Sequence, residues 1–171
     1  MKKIKSLFMI IIMNAVITGA VAQETATASS SATIVAPIGI AQSVDMNFGN
    51  VATNSIGGTV VLTTGGSTSI TGGLTLPANT GTITAAAFEV TGEANYTYTI
   101  SLTMGAIILQ DDAGTQNQMT VDNFVSNPDA TGALTSGVQT INMGATLNVA
   151  DGQAAGVYRN SGGLTVTVNY N

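Results

Sequence analysis

The sequence of 171 residues contains no cysteine, no histidine and no tryptophan, and it has only three prolines and four basic residues. Each absence closes a class of function. Without cysteine there is no disulfide scaffold and no thiolate nucleophile. Without histidine there is no Ser-His-Asp triad, and zinc or haem sites built on either residue are excluded. Three of the four cations, Lys2, Lys3 and Lys5, lie within the first five residues, so Arg159 is the one Lys or Arg in the remainder. Schiff-base and Ser–Lys chemistry have no amine to use there.

The basic start runs into an apolar stretch from Leu7 to Ile17, and Ala20-Val21-Ala22 then precedes Gln23. This is the pattern of an export signal cut behind A-x-A. The apolar stretch falls short of the roughly 20 residues that a spanning helix needs. Residues 1–22 are therefore expected to be a signal peptide, with the periplasm, the cell surface or the medium as destination. Residues 23–171 amount to one domain's worth of chain. Past residue 22 nine acids face Arg159 alone, a net charge of −8. Neutralising phosphates takes clustered Lys and Arg, so neither nucleic acid nor an anionic lipid surface is an expected partner. Stable membrane insertion is not expected either.

The remaining composition points to strands. Residues 23–171 carry 25 Thr and 19 Gly, against three Phe and four Tyr. Threonine is β-branched and suits a pleated surface, and its hydroxyl keeps a wet face soluble without charge. Glycines spaced between short apolar runs mark tight turns. Residues 23–32 (QETATASSSA) read as a flexible polar leader. Alternation of period two begins at Ile34 and recurs over 59–63, 83–92, 96–102, 139–149 and 164–170, with no window of helical periodicity. A bend is expected near Pro37 and Gly39, a bulge at Gly144, and a loop over 123–129 around Pro128. Eight to ten short antiparallel strands without a disulfide are most simply buried as a two-sheet sandwich over residues 33–171. A small outer-membrane barrel would need aromatic girdles and an apolar exterior. Seven aromatics and threonine-rich strands speak against it.

Two segments carry a resemblance: VDMNFGNV (44–51) and AAGVYRNSGGLTVTVNYN (154–171). They resemble the L-x-F-G segment, with Met46 in place of Leu, and the G-x-Y…V-T-V-x-Y/F ending of archaic chaperone–usher pilins and spore-coat-U-type secreted proteins. The overall layout, including EVTG and the TVDNF segment, more closely resembles an uncharacterised family of bacterial secreted domains that share this ending. The resemblance implies an all-β, immunoglobulin-like sandwich exported to the envelope and built for assembly or surface display. It also implies self-assembly or a chaperone- or usher-like envelope partner. In the pilins an N-terminal extension with alternating apolar plugs completes the neighbour's sheet. Here Ile34, Ile38 and Ile40 are the corresponding plugs, because the leader offers only Ala at its apolar positions. The pilins' common disulfide is missing.

The candidate assembly residues are thus Ile34, Ile38 and Ile40 together with Leu164, Val166, Val168 and Tyr170 of the C-terminal strand. That strand reads equally as an ordinary core strand. Exposed sheet edges are usually blunted with Lys or inward charges; this chain has no Lys after residue 5, which favours edges meant for pairing. Asp111, Asp112 and Gln116, and the group Asp122, Asn123, Asn127 and Asp129, lack the spacing of a calcium loop and read as turn chemistry. Glu89 and Glu93 read as solvated carboxylates rather than a glycosidase pair. Tyr96 and Tyr98 follow the core alternation. No catalytic, metal or cofactor residue emerges. The expected function is a non-enzymatic surface-assembly subunit, the alternative a monomeric adhesin that binds a glycan or protein.

Overall fold

Period-two alternation places the strands, and glycines separate them. The computed structural model describes residues 22–102, 105–114, 117–160 and 163–171. The expected signal segment, apart from Ala22, lies outside the described residues. The chain divides into two units, residues 1–34 and residues 35–171. Within the first, residues 22–34 have no regular secondary structure and are exposed.

The second unit holds every strand. The first are β1 (Gly39–Val44), β2 (Asn47–Phe48), β3 (Ala52–Thr53), β4 (Gly58–Leu62) and β5 (Thr68–Ile70). Next come β6 (Leu74–Thr75), β7 (Ile83–Thr84), β8 (Ala86–Thr91), β9 (Tyr96–Leu102) and β10 (Ile107–Asp111). The last are β11 (Gln118–Asn127), β12 (Thr131–Leu134), β13 (Val138–Val149), β14 (Tyr158–Arg159) and β15 (Val166–Tyr170). All pairings are antiparallel, and the described residues contain no helix.

The large sheet runs β1-β8-β13-β11-β10-β14. Its spine is β13, which is long enough to change partner along one edge. Val138–Met143 pair with β8, whereas Ala145–Val149 pair with β4, which in turn carries β5. A three-stranded sheet, β12-β9-β15, lies over it. Tyr98, Ile100, Leu134 and Val168 of the small sheet meet Ala86, Phe88, Val90, Ile141 and Met143 of the large one in a first core. A second core gathers Phe48, Val60, Leu62, Leu74, Val121, Ala145, Leu147 and Val149. The apolar faces point inward between sheets, so the fold is a β-sandwich and not a barrel with an apolar exterior. Burying a side chain of this size contributes about 1.5–3 kcal/mol.

Several local expectations change. The alternation from Ile34 onward does not become strand until Gly39. The 83–92 run is cut into β7 and β8. Residues 123–127, expected in a loop, continue β11. The bulge expected at Gly144 sits instead on the partner strand: between the pairs Asp122–Thr146 and Val125–Gly144, the single β13 residue Ala145 stands against two on β11, Asn123 and Phe124. Asn123 adopts a φ of 49°, which accommodates the extra residue. Gly144 itself is buried and pairs with Val125.

One side chain locks the two sheets together. Gln139 of β13 offers Oε1 to the Tyr98 hydroxyl of β9 (2.8 Å) and to the Ala133 N–H of β12 (2.7 Å). Burial pushes the Tyr98 phenol above its usual value. The unfolded chain then loses this proton near pH 10 while the folded chain keeps it. The Tyr98 contribution to stability is accordingly constant below about pH 10 and falls as pH rises beyond it. Melting temperatures measured between about pH 9 and 11.5 should show this decline, and Tyr98→Phe should flatten it; an unchanged slope would contradict the burial argument.

Candidate functional site

The inner face of the large sheet is not covered everywhere. Ile107 and Leu109 on β10, Met119 and Val121 on β11, and Leu147 and Val149 on β13 share one face because each pair is two residues apart. Their register aligns them across the strands: Ile107 faces Val121, Leu109 faces Met119, and Val121 faces Leu147. Val121, Leu147 and Val149 are buried, while Ile107, Leu109 and Met119 remain half-buried. They line an open groove of about 1460 Å³. Met46, Phe48 and Val51 form another part of its lining, and residues 153–160 with Leu164 form a third.

The bulge adds a residue to this site. With Met119 and Val121 facing inward, strict alternation would bring Asn123 inward too. The extra residue shifts the phase, so Phe124 packs against both cores and also lines the groove. The sequence signal, an Asn-Phe step inside an alternating run, is visible only after the bulge is known.

Residues 150–160 form a strap along the groove. Its β14 pairs with only two residues of β10. Asp112 N–H donates to the Val157 carbonyl (2.9 Å), and Asn160 Nδ2 donates to the Ile108 carbonyl (2.7 Å). The Tyr158 hydroxyl accepts from Gln153 Nε2 and donates to the Ala154 carbonyl. Arg159 pairs with Asp112 at 2.7 Å, but both side chains are exposed, so this pair contributes little in water. Main-chain and amide hydrogen bonds hold the strap.

The assembly residues singled out from sequence divide into three groups. Ile34 is 98% exposed. Ile38 packs against the first core, and Ile40 is partly exposed on β1 opposite Val90. Val168 is a buried core residue, and Leu164, Val166 and Tyr170 pack against the same core. Leu164 alone of the seven lines the groove. The structure thus gives the C-terminal strand its core role, with β15 paired to β9 on one side only; β1 is likewise paired only to β8 among the described residues. Tyr170 also anchors the start of the domain. Its hydroxyl accepts from the Glu93 N–H (2.6 Å) and donates to the Ala36 carbonyl (2.9 Å), while Ala36 N–H donates to Glu93 Oε2 (2.9 Å).

The acids do not converge. Asp111 ends β10 and accepts from Asn117 Nδ2, Asp112 holds Arg159, and Gln116 lies outside the described residues. No group of three His, Cys, Asp or Glu is placed to hold a metal ion among the described residues. Glu89 is exposed, and Glu93 is occupied with Ala36. Tyr98 is core, whereas Tyr96 is 41% exposed and packs edge-on against Tyr170 at 5.5 Å. No described helix is long and apolar enough to cross a membrane.

Residues 38–170 match the family model described as a domain of unknown function (DUF4402), and the chain belongs to that family. Comparison with curated proteins and with solved structures gave no match.

Proposed function

We propose that this member of the DUF4402 family is a secreted, non-enzymatic assembly subunit that works by strand addition. The leader of one copy lays an extended segment into the groove of the next. The observation that carries this reading is the half-buried stretch of sheet face at Ile107, Leu109 and Met119, apolar residues that the open groove leaves partly exposed. A second copy is the occupant because its residues 22–34 end in a bulky apolar plug, Ile34. Residues 22–34 are exposed and outside any sheet. Ala26, Ala28, Ala32 and Ile34 alternate with Thr and Ser, and Glu24 is the one charge. Main-chain hydrogen bonds would supply affinity and Ile34 the deep plug. The likeness to chaperone–usher pilins supports the same reading.

Ile38 packs against the domain's own core and Ile40 is held in β1 opposite Val90, so the informative substitution is Ile34→Asp. A buried Ile side chain is worth about 1.5–3 kcal/mol. Ile34→Asp should therefore weaken self-association by roughly tenfold to a hundredfold, with an unchanged melting temperature. Sedimentation across a concentration series reads this directly. A wild-type protein that stays monomeric at high concentration would refute assembly, and a glycan-array signal from that monomer would favour an adhesin.

A further inference from the structure

We propose that Asn95 is the acceptor of an N-linked oligosaccharide. Among all the asparagines of the chain, Asn95 alone is followed two residues later by Ser or Thr without an intervening proline. The segment reads Glu93-Ala94-Asn95-Tyr96-Thr97. An amide nitrogen is a poor nucleophile because its lone pair is delocalised, so a transferring enzyme must grip the acceptor closely. The hydroxyl at the second following position supplies that grip. The acid two residues before the asparagine adds a charge that a cationic acceptor groove can hold.

The fold presents the segment for such recognition. Glu93, Ala94 and Asn95 lie in the turn between β8 and β9, where the chain passes from the large sheet to the small one, and Tyr96 and Thr97 open β9 opposite Leu134 and Ala133. Ala94, Asn95, Tyr96 and Thr97 are exposed, and Glu93 is half-buried. Asn95 has a φ of 65° and donates its backbone N–H to the Leu134 carbonyl (2.6 Å), which pins the turn. Its side-chain amide has no hydrogen-bond partner among the described residues. Thr97 Oγ1 accepts only an exposed bond from Asn171 Nδ2. Glu93 uses Oε2 for the Ala36 N–H, and its Oε1 has no hydrogen-bond partner among the described residues. None of residues 93–97 lines the groove, so a glycan here leaves the groove open. The inference does not depend on the assembly reading.

The donor is a lipid-pyrophosphate-linked oligosaccharide. Asn95 Nδ2 forms a bond to the anomeric carbon as that carbon's bond to the phosphate oxygen breaks. The lipid pyrophosphate leaves with the bonding electron pair, and one amide proton passes to a carboxylate of the transferring enzyme. No oxidation or reduction is involved.

The test is transfer to the purified protein by an acid-requiring oligosaccharyltransferase with its lipid-linked donor, read by intact mass and peptide mapping. The expected result is one glycan per chain on the peptide that contains Asn95. Asn95→Gln and Thr97→Val should abolish it, Thr97→Ser should restore it, and Glu93→Gln should lower transfer at least tenfold. A synthetic peptide of residues 91–99 runs alongside. A modified peptide beside an untouched protein would show that the fold hides the segment and overturn the proposal. Protein and peptide both left untouched would do the same, as would undiminished glycan on Asn95→Gln.

Discussion

Replacing Gly144 with alanine is expected to lower the melting temperature by about 10 °C or more, a loss of roughly 3–5 kcal/mol. Gly144 sits at the handover point of β13, between Met143, which pairs with Ala86, and Ala145, which pairs with Leu62. Opposite it, Val125 follows the bulge of β11. A Cβ built at Gly144 would overlap the carbonyl oxygen of Leu62 and crowd the backbone of Thr63 and Thr64. These are main-chain atoms, so no side chain can swing aside to relieve the overlap. Either β4 separates from β13 or the spine bends, and each outcome disturbs the second core. Gly105→Ala is the matching control, because nothing lies within contact of a Cβ there, and it should change stability by less than about 0.5 kcal/mol. Thermal unfolding followed by circular dichroism compares the two. Equal melting temperatures would show that β4 is held loosely.

Gln139→Leu should cost roughly 2–5 kcal/mol. The substitution keeps much of the side-chain volume but removes the oxygen that serves both Tyr98 and Ala133. A fully buried phenol and a strand N–H would then lack their partner. Adding Tyr98→Phe removes one of these stranded donors. The double variant should therefore recover about 1–3 kcal/mol of the loss, a coupling that a double-mutant cycle in denaturant measures. Strict additivity would mean that the two groups do not share the lock. Gly132 belongs to the same arrangement, since a Cβ there would overlap the Tyr98 ring. The close approach of β12 to β9 depends on that missing atom.

Much of this architecture could be read from residue order. The alternation of Phe88 and Val90, of Tyr98 and Ile100, and of Ile141, Met143, Leu147 and Val149 identifies inward faces that the sheets do bury. The reason is local: a strand with one wet face must alternate. The illegible part is non-local. Nothing in the sequence near Gly144 states that the extra residue belongs to β11, because bulges depend on which strands pair. The partner exchange along β13 depends on distant segments in the same way. The groove was equally hidden. Ile107, Leu109 and Met119 resemble any core positions, and their partial exposure reflects only what fails to cover them. Ile38 illustrates the converse, since an apolar residue at the right spacing for a plug is taken up by its own domain.

The Ala36 bonds to Tyr170 and Glu93 have a mechanical consequence. A pull on the leader reaches Ala36 before it reaches the first rung of β1. There the load divides between the penultimate residue and the turn joining the two sheets. Both layers thus share the first load, which must break these bonds before it reaches β1. In the proposed assembly, strain would extend residues 22–34 first.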